Sequence, residues 1–259
     1  MDEGIVLSTY TNLVNDLRQC EGLEQLELTL CSTILHPDEP LGGPLSFPYL
    51  RKFCVIVDPE RDPRPFLAAL HLPNLKDLEI RRYKANFFSA LLHADYLEPL
   101  ILPNTPRLHS LTLGYFAVTA ADVYEGVLGS PPINLYRLPD LLRELPSLES
   151  LTIHEGRIDT GFLDSLIPSP ETEEDIILPA LSKLTLRHAQ FSWDSVIRFV
   201  AFRAPRPREI NRWQALHTLM AVECNPVIPL EKHHKEKLNS ICLESGQAFR
   251  WVYNISPIN

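Results

Sequence analysis

Apolar residues recur along the chain in a short phrase with the pattern L-x-x-[LF]-x-[LIVA]. Seven copies occur, and their first leucines are Leu23, Leu50, Leu75, Leu108, Leu148, Leu181 and Leu216. Within each copy the second and third apolar positions are two residues apart, which is the spacing of side chains on one face of a β-strand. Each phrase therefore predicts a short strand with one buried face, and the residues between the apolar positions are predicted to point outward.

Proline precedes most copies at a fixed distance. Five of the seven carry it two residues before the first leucine, at Pro48, Pro73, Pro106, Pro146 and Pro179. Proline pushes the residue before it out of the helical region of conformational space. One element is therefore predicted to end, and an extended one to begin, at the same point of each unit.

The stretches between the phrases have apolar residues at helical spacing. They read RPFLAALHL, NFFSALLHADYL, TAADVYEGVL, DLLREL, TGFLDSLI and SWDSVIRFVAF, and they predict short amphipathic helices that alternate with the strands. One strand and one helix cannot bury their own leucines, whereas stacked units share a continuous parallel sheet and core. Successive first leucines lie 25 to 40 residues apart, which indicates loop insertions on the convex side or the rim.

The fold class predicted from this pattern is α/β, as a leucine-rich-repeat solenoid. Its parallel sheet is expected to be curved, with the helices on the convex side. Residues 1–21 are predicted to form an N-terminal capping helix, residues 22–225 about seven irregular repeats, and residues 226–259 a C-terminal cap of helix plus strand. One continuous domain is expected.

Charge and hydropathy narrow the classes of partner. The formal net charge is −9 and the isoelectric point is near 5.5, whereas general binders of nucleic acid or anionic membranes need a positive field. No stretch approaches the roughly 20 apolar residues of a membrane helix, and the first residues lack the positive charge of a secretion signal. The expectation is a monomer in the cytoplasm or nucleus that binds neither nucleic acid nor membrane.

Over about residues 20 to 224, the repeated [F/L/T]-P-x-L-x-x-L-x-[LIV] units resemble the leucine-rich-repeat region of fungal F-box proteins, a divergent group of mushroom-forming fungi. Cys31 and Cys224 extend the first and last units to L-x-x-L-x-[LA]-x-x-C, at the turn position where cysteine-type repeats hold a buried thiol or asparagine. The middle units depart from this pattern, with other residues at that position: Asp58, Tyr83, Phe116, Gly156 and Ala189. A regular turn ladder is therefore not expected in the middle.

The resemblance implies the substrate receptor of an SCF-type ubiquitin ligase, in which an F-box holds a Skp-type adaptor and the repeats hold the target. No F-box module is recognisable in about 20 residues before the first repeat, and RLPDLLRELP at 137–146 is interpreted as a spacer helix. Two alternatives stay open: an F-box lies upstream in a longer gene product and binds the adaptor, or the repeats act alone. A drifted structural array without a ligase connection is the competing hypothesis.

The outward side chains of the strands are the predicted partner-binding residues. On the concave face of the expected sheet they form columns that run from charged to small and hydroxylic and then to mixed character. The predicted set is Glu27, Glu79, Arg81, Thr112, Thr152, His154, Thr185 and Arg187. Such a gradient suits a protein target with a charge gradient of its own, whereas the simpler interpretation is a solvated surface.

A second candidate is a basic loop within FRAPRPREINR, formed by Arg203, Arg206, Arg208 and Arg212. Arginine forks bind phosphate and carboxylate well. The segment SPETEED, with Glu171, Glu173, Glu174 and Asp175, offers acidic partners within the same chain. A solvated loop, with or without that pairing, is the favoured interpretation.

Metal, cofactor and catalytic chemistry are not expected. His233 and His234 are adjacent, so they point in different directions on a helix, and His234 aligns with Leu230, Leu238 and Ile241 as a histidine of the cap. The five cysteines are widely spaced and are interpreted as reduced thiols, at least three of them buried. No G-x-S-x-G, H-E-x-x-H or Gly-rich phosphate loop occurs. The sequence therefore predicts a non-catalytic protein-protein interaction module.

Overall fold

The computed structural model describes residues 10–20, 22–30, 43–57, 63–82, 98–104, 107–114, 138–154, 158, 160–167, 177–189, 191–204, 215–222, 224, 229–246 and 249–254. The strands in these ranges are β1 Gln25–Leu30, β2 Leu45–Ser46, β3 Lys52–Val57, β4 Leu70–His71, β5 Asp77–Arg82, β6 Ser110–Gly114, β7 Ser150–His154, β8 Lys183–Arg187, β9 Thr218–Val222 and β10 Arg250–Asn254. The helices are α1 Tyr10–Arg18, α2 Arg64–Ala68, α3 Glu98–Asn104, α4 Leu138–Arg143, α5 Thr160–Ser165, α6 Trp193–Arg203 and α7 Lys232–Glu244.

Eight of these strands form one open parallel sheet. Their order is β1-β3-β5-β6-β7-β8-β9-β10. Each strand therefore pairs with the strand of the same sheet that follows it in the sequence, and β2 and β4 pair separately with each other. The shared register places Leu78 beside Leu111, Leu111 beside Leu151 and Leu151 beside Leu184. A mixed α/β architecture with a large parallel sheet is therefore confirmed, and all seven repeated phrases form strands of that sheet.

A proline turn leads into several of the strands. The N–H of the first leucine donates to the carbonyl of the residue before the proline, in the pairs Leu50 to Phe47, Leu75 to Leu72, Leu148 to Leu145 and Leu181 to Leu178. Proline thus occupies the second position of a β-turn, where its fixed φ is favourable. The sequence predicted a break at this point, and the break is a hydrogen-bonded turn.

A second contact repeats between neighbouring units. In the first six units, the carbonyl after the first leucine accepts two successive N–H groups of the following unit. These carbonyls belong to Glu24, Arg51, Lys76, His109, Glu149 and Ser182. Because the same bond pattern recurs at each step, every unit enters the sheet at the same register as its neighbour.

The core lies on one face of the sheet. Side chains such as Leu111, Leu151 and Leu184 are fully buried and form one apolar cluster with helix residues that include Leu141 and Phe199. Burial of a leucine contributes about 1.5 to 3 kcal/mol relative to exposure. The alternation of leucine with polar residues therefore determines which face of the sheet the helices cover.

The two ends of the sheet are flanked by helices. At the N-terminal end, α1 buries Leu13, Val14 and Leu17 and contacts β2. At the other end, α6 packs against both α5 and α7. The last strand, β10, pairs in parallel with β9.

Several elements differ from the sequence-based expectation. The short pair β2 and β4 was not predicted, nor was α3, whose sequence EPLILPN contains two prolines. Four of the six spacer segments contain a described helix, whereas 86–97 and 119–128 lie outside the described residues. Among the described helices, none combines the length and apolarity needed to cross a bilayer.

Candidate functional site on the open face of the sheet

The outward side chains of the sheet form rows across its strands. We call this surface the open face, and two of its rows contain all eight predicted binding residues. The first row is Glu27, Cys54, Glu79, Thr112, Thr152, Thr185, Met220 and Val252. The second begins with Thr29, Ile56 and Arg81 and continues with Gly114, His154 and Arg187. The register therefore brings the predicted residues onto one surface.

The β1 to β5 end of the open face is acidic. Glu27 on β1 and Glu79 on β5 flank Cys54 on β3, which is 7% exposed. Burial, followed by the negative charges of Glu79 and Glu27, raises the pKa of the Cys54 thiol to about 11. The thiol therefore stays protonated at neutral pH, and the thiolate form that reacts or binds metal is disfavoured.

Arg81 links this acidic end to the centre of the face. Its guanidinium forms a hydrogen-bonded ion pair with Glu79 on the same strand. Its side chain also lies across Gly114 of β6, because a Cβ atom built at position 114 would be 3.1 Å from Arg81 Cγ. The absence of a side chain at Gly114 thus gives Arg81 its path over the neighbouring strand.

The β7 to β8 end of the open face is positively charged. His154 on β7 lies beside Arg187 on β8, and its ring meets the ring of His188 edge to face with centroids 5.3 Å apart. His188 has a φ of 50°, a left-handed conformation that costs a non-glycine residue on the order of 1 kcal/mol. The contact with His154 is made from this conformation.

Burial and the neighbouring charges both act on the pKa of His154. Burial lowers its pKa from 6.5 to about 4, with further lowering from the nearby His188, Arg187 and Arg81, whereas Glu79 acts in the opposite direction. The ring is therefore neutral at neutral pH. Although the whole chain is acidic, the net effect of the charges around His154 is that of a positive site.

Small hydroxyl side chains occupy the first row on β6, β7 and β8, so two of them lie on the same strands as His154 and Arg187. Thr112, Thr152 and Thr185 occupy neighbouring positions of one row and are half-buried. The Thr185 hydroxyl is shielded from solvent and has no hydrogen-bond partner within the part of the chain that the structure describes. The open face thus carries carboxylates on β1 and β5, and on β7 and β8 it carries hydroxyls in the first row beside His154 and Arg187 in the second.

Acid is expected to destabilise the fold between pH 6.5 and pH 4 through His154. Because the pKa of His154 is lower in the folded chain, the unfolded chain binds more protons in this window, and the free energy of unfolding falls as the pH falls. Solvent screening of the half-exposed ring limits the effect to about 1 kcal/mol. His154→Gln should reduce this loss in urea-unfolding measurements across the window.

Thr112→Ala is the matched control for this measurement, since it changes the same surface without removing a titrating group. It should keep the wild-type dependence of the free energy of unfolding on pH. The assignment to His154 is wrong if the glutamine variant loses as much stability on acidification as the wild type.

The basic-loop prediction is wrong for Arg203. This residue ends α6 and is completely buried, and its Nη2 donates to the carbonyls of Leu178 and Leu181 at 2.8 and 3.0 Å. Burial lowers the pKa of Arg203 to about 10, so it remains charged at neutral pH. Helical periodicity continues to position 203 and directs the guanidinium into the core. Arg206, Arg208 and Arg212, and the acidic segment 171–175, lie outside the described residues.

A histidine pair lies at the start of α7, facing α6. His234 is buried, and its Nδ1 accepts the backbone N–H of Glu231 at 3.2 Å. Its Nε2 lies 3.7 Å from Asp194 Oδ1, and His233 Nδ1 lies 3.2 Å from Glu231 Oε2. Burial and the neighbouring His233 lower the pKa of His234, so its neutral form is favoured.

This arrangement resembles a metal site only in its spacing. One ligand atom each from Asp194, His233 and His234 lies within 4.8 Å of the others. However, a backbone N–H can only donate, so Nδ1 of His234 uses its lone pair and the ring proton resides on Nε2. Histidine ligands in metal sites instead donate a proton from their second nitrogen, so the hydrogen bonds favour a helix cap over a metal ligand.

The cysteines are less buried than the sequence predicted. Cys54 is buried and Cys20 is exposed, whereas Cys224 and Cys242 are half-buried, so the prediction of at least three buried thiols is wrong. Cys224 donates its thiol hydrogen to the Leu186 carbonyl at 3.3 Å. Its role is thus a contact between the last two repeat units. Cys31 lies outside the described residues.

Three further residues of these sites were missed from the sequence. Gly114 and His188 shape the open face, and Asp194 faces the α7 histidines. Gly114 could have been singled out from the sequence, because it is the only glycine in the second row. The positions of the other two depend on the conformation after β8 and on the packing of α6 against α7.

No known family matches this sequence, and no curated protein matches it either. The functional assignment therefore depends on the geometry and charge of the open face.

Proposed function

We propose that this chain is a non-catalytic protein-protein interaction module that binds its partner on the open face. The observation that carries the proposal is the shared register, which brings Glu79 and Arg81 of β5, His154 of β7 and Arg187 of β8 onto the same face of the sheet. Both arginines are exposed. An array of charged and hydroxylic side chains on one face of a hydrogen-bonded sheet suits recognition of a complementary protein surface.

The proposed finer architecture is a leucine-rich-repeat solenoid, with the open face on its concave side. The single-file strand order, the repeated proline turns and the repeated two-donor carbonyl contacts support it. Such arrays stack equivalent units, and their concave sheets are common binding surfaces.

The resemblance of the repeats to fungal F-box proteins suggests a substrate receptor of an SCF-type ubiquitin ligase. In this proposal a Skp-type adaptor binds through an F-box upstream of the repeats, and the target binds the open face. The alternative proposal is a stand-alone or drifted repeat protein without a ligase connection. In either case we propose a monomer that acts in the cytoplasm or nucleus.

A non-catalytic role agrees with the chemistry of the open face. Its cysteine is held as a thiol between two carboxylates, with a pKa of about 11. Its half-buried histidine lies among positive neighbours that disfavour proton uptake. Neither group has the environment of an activated nucleophile or of a base with a pKa near neutral pH.

The proposal is tested by capture of partners from native lysate with tagged wild-type chain and with the double variant Arg81→Glu/Arg187→Glu. The open-face variant is expected to lose at least about 90% of a specific partner, because two attractive contacts become repulsive. Lys232→Glu/Lys235→Glu is the matched control, since it makes the same change in charge on the exposed side of α7.

The control variant should retain the partner, and all three proteins should unfold at similar temperatures. Equal capture by wild type and open-face variant would count against binding at this surface. A Skp-type adaptor and a cullin among the specific partners would support the ligase connection, and a specific partner without them would favour the stand-alone alternative.

A further inference from the structure

We infer that the partner segment recognised at the β7 to β8 end of the open face is an acidic peptide, with one of its carboxylates bound by Arg187 beside His154. The inference rests on the proposed function, since it names the chemistry of the partner at that same surface. It also predicts how the peptide is oriented on the face. Its acidic residues lie over β7 and β8, because the carboxylates Glu27 and Glu79 repel acidic residues at the β1 to β5 end.

Arg187 is the group that binds the carboxylate. It ends β8, is exposed, and makes no ion pair with an acidic side chain in the described part of the chain. A guanidinium presents two parallel N–H groups that match the two oxygens of a carboxylate. Arg81 is less suited to this role because Glu79 already binds its guanidinium.

The count of charges selects a carboxylate over a phosphate ester. At neutral pH the Arg81 and Glu79 charges cancel, and His154 is neutral because its pKa is about 4. Arg187 then contributes one uncompensated positive charge next to His154. A carboxylate carries one negative charge and balances Arg187, whereas a phosphate ester carries about 1.5 to 2 and would leave excess negative charge at this site.

The acidic charge of the whole chain does not prevent this contact. Screening limits the reach of exposed charges to about 8 Å at physiological ionic strength, so the nearest groups determine the local potential. Burial is the main cause of the lowered pKa of His154, and the nearby positive charges of Arg187 and Arg81 lower that pKa further. The site is therefore locally attractive to an anion within an acidic protein.

The size of the open face sets the length of the segment. Glu27 and Arg187 are separated by five strand-to-strand steps, which correspond to about 24 Å at about 4.8 Å per step. An extended peptide rises about 3.3 Å per residue, so about seven residues span this distance. A peptide with acidic residues at one end and neutral ones at the other therefore fits the face, whereas a uniformly acidic one meets Glu27 and Glu79.

The experiment measures binding of fluorescein-labelled octapeptides to the full chain by fluorescence anisotropy at low ionic strength. The probes are Asp-Asp-Asp-Asp-Ser-Ser-Ser-Ser, the same peptide with lysine in place of aspartate, an all-serine peptide, and one whose aspartates are phosphoserine. The aspartate peptide is expected to bind most tightly and to weaken with added salt. Arg187→Glu should weaken its binding at least about tenfold, as expected for loss of a charge-assisted pair worth about 1.5 kcal/mol or more.

Lys235→Glu is the control, because it makes the same kind of charge reversal on α7, and it should leave the affinity within about twofold, as expected for a distant, screened charge. Circular dichroism of each variant establishes that the fold is intact. Tighter binding of the lysine or phosphoserine peptide, or an equal affinity of Arg187→Glu for the aspartate peptide, overturns the inference.

Failure of this inference can be separated from failure of the proposed function. If no probe binds but Arg81→Glu/Arg187→Glu still loses its captured partner, the open face is a binding surface with a different chemistry. If no probe binds and capture is also unchanged, both proposals are wrong.

Discussion

Replacement of Trp193 by alanine is expected to lower the free energy of unfolding by about 3 to 5 kcal/mol. The indole is 1% exposed at the first residue of α6, and it meets Phe191 and Tyr253 edge to face with centroids 4.9 and 5.2 Å away. It therefore connects α6 to the last strand of the sheet. Urea unfolding followed by far-ultraviolet circular dichroism measures the loss.

Trp193→Phe is the matched control for this prediction. The indole Nε1 has no hydrogen-bond partner in the described part of the chain, so phenylalanine removes an unsatisfied donor while it keeps most of the buried ring. Trp193→Phe should lower the free energy of unfolding by less than about 1.5 kcal/mol. If the alanine variant were as stable as the phenylalanine variant, the ring would not be what holds β10 to the core.

Arg203→Ala is expected to destabilise the fold by about 3 kcal/mol or more. The change removes two donors from the carbonyls of Leu178 and Leu181 and leaves a cavity in their place. The Leu178 carbonyl keeps the N–H of Leu181 as a donor, so the expected cost comes from the Leu181 carbonyl, at about 1 to 3 kcal/mol, and from the cavity. Leu178 also has a left-handed φ of 55°, so the guanidinium stabilises a turn whose first residue is in an unfavourable conformation.

Two variants make the Arg203 measurement specific. Arg198→Ala removes an exposed arginine of the same helix that pairs with Asp164 at 2.7 Å, and such exposed pairs contribute about 1 kcal/mol or less. Arg203→Met keeps much of the buried volume but cannot donate. If the methionine variant is as stable as the wild type in urea unfolding, the hydrogen bonds to the turn contribute nothing net.

The strands were predictable because each phrase encodes its own buried face. Leucine at every second position can bury one side of a strand only at the register that is observed, since a shift by one residue would expose all of the leucines. The same reasoning predicted the outward rows, so Glu79, Arg81, His154 and Arg187 lie on one surface. The proline turns were partly predictable, because proline fixes its own φ wherever the chain places it.

The positions of the residues that the sequence analysis misplaced or missed are set by contacts between distant parts of the chain. Arg203 reads as the first arginine of a basic loop, yet one more turn of α6 brings it to carbonyls 22 and 25 residues earlier in the sequence. Asp194 and His234 meet because α6 packs against α7. Burial of a charged or polar side chain at such a contact carries no periodic signal, so single-sequence reasoning assigns it to the surface.

The single-file order of the strands has a consequence for how this surface can change over generations. Since β6 pairs only with β5 and β7 in the sheet, an in-frame duplication or loss of the whole β6 unit would leave every pairing that does not involve β6 intact. It would move the acidic and basic ends of the open face apart or together by one strand spacing, about 4.8 Å. Gene rearrangement could therefore change the distance between the two charged ends, and with it the preferred partner, in steps of one strand and without an amino-acid substitution at either end.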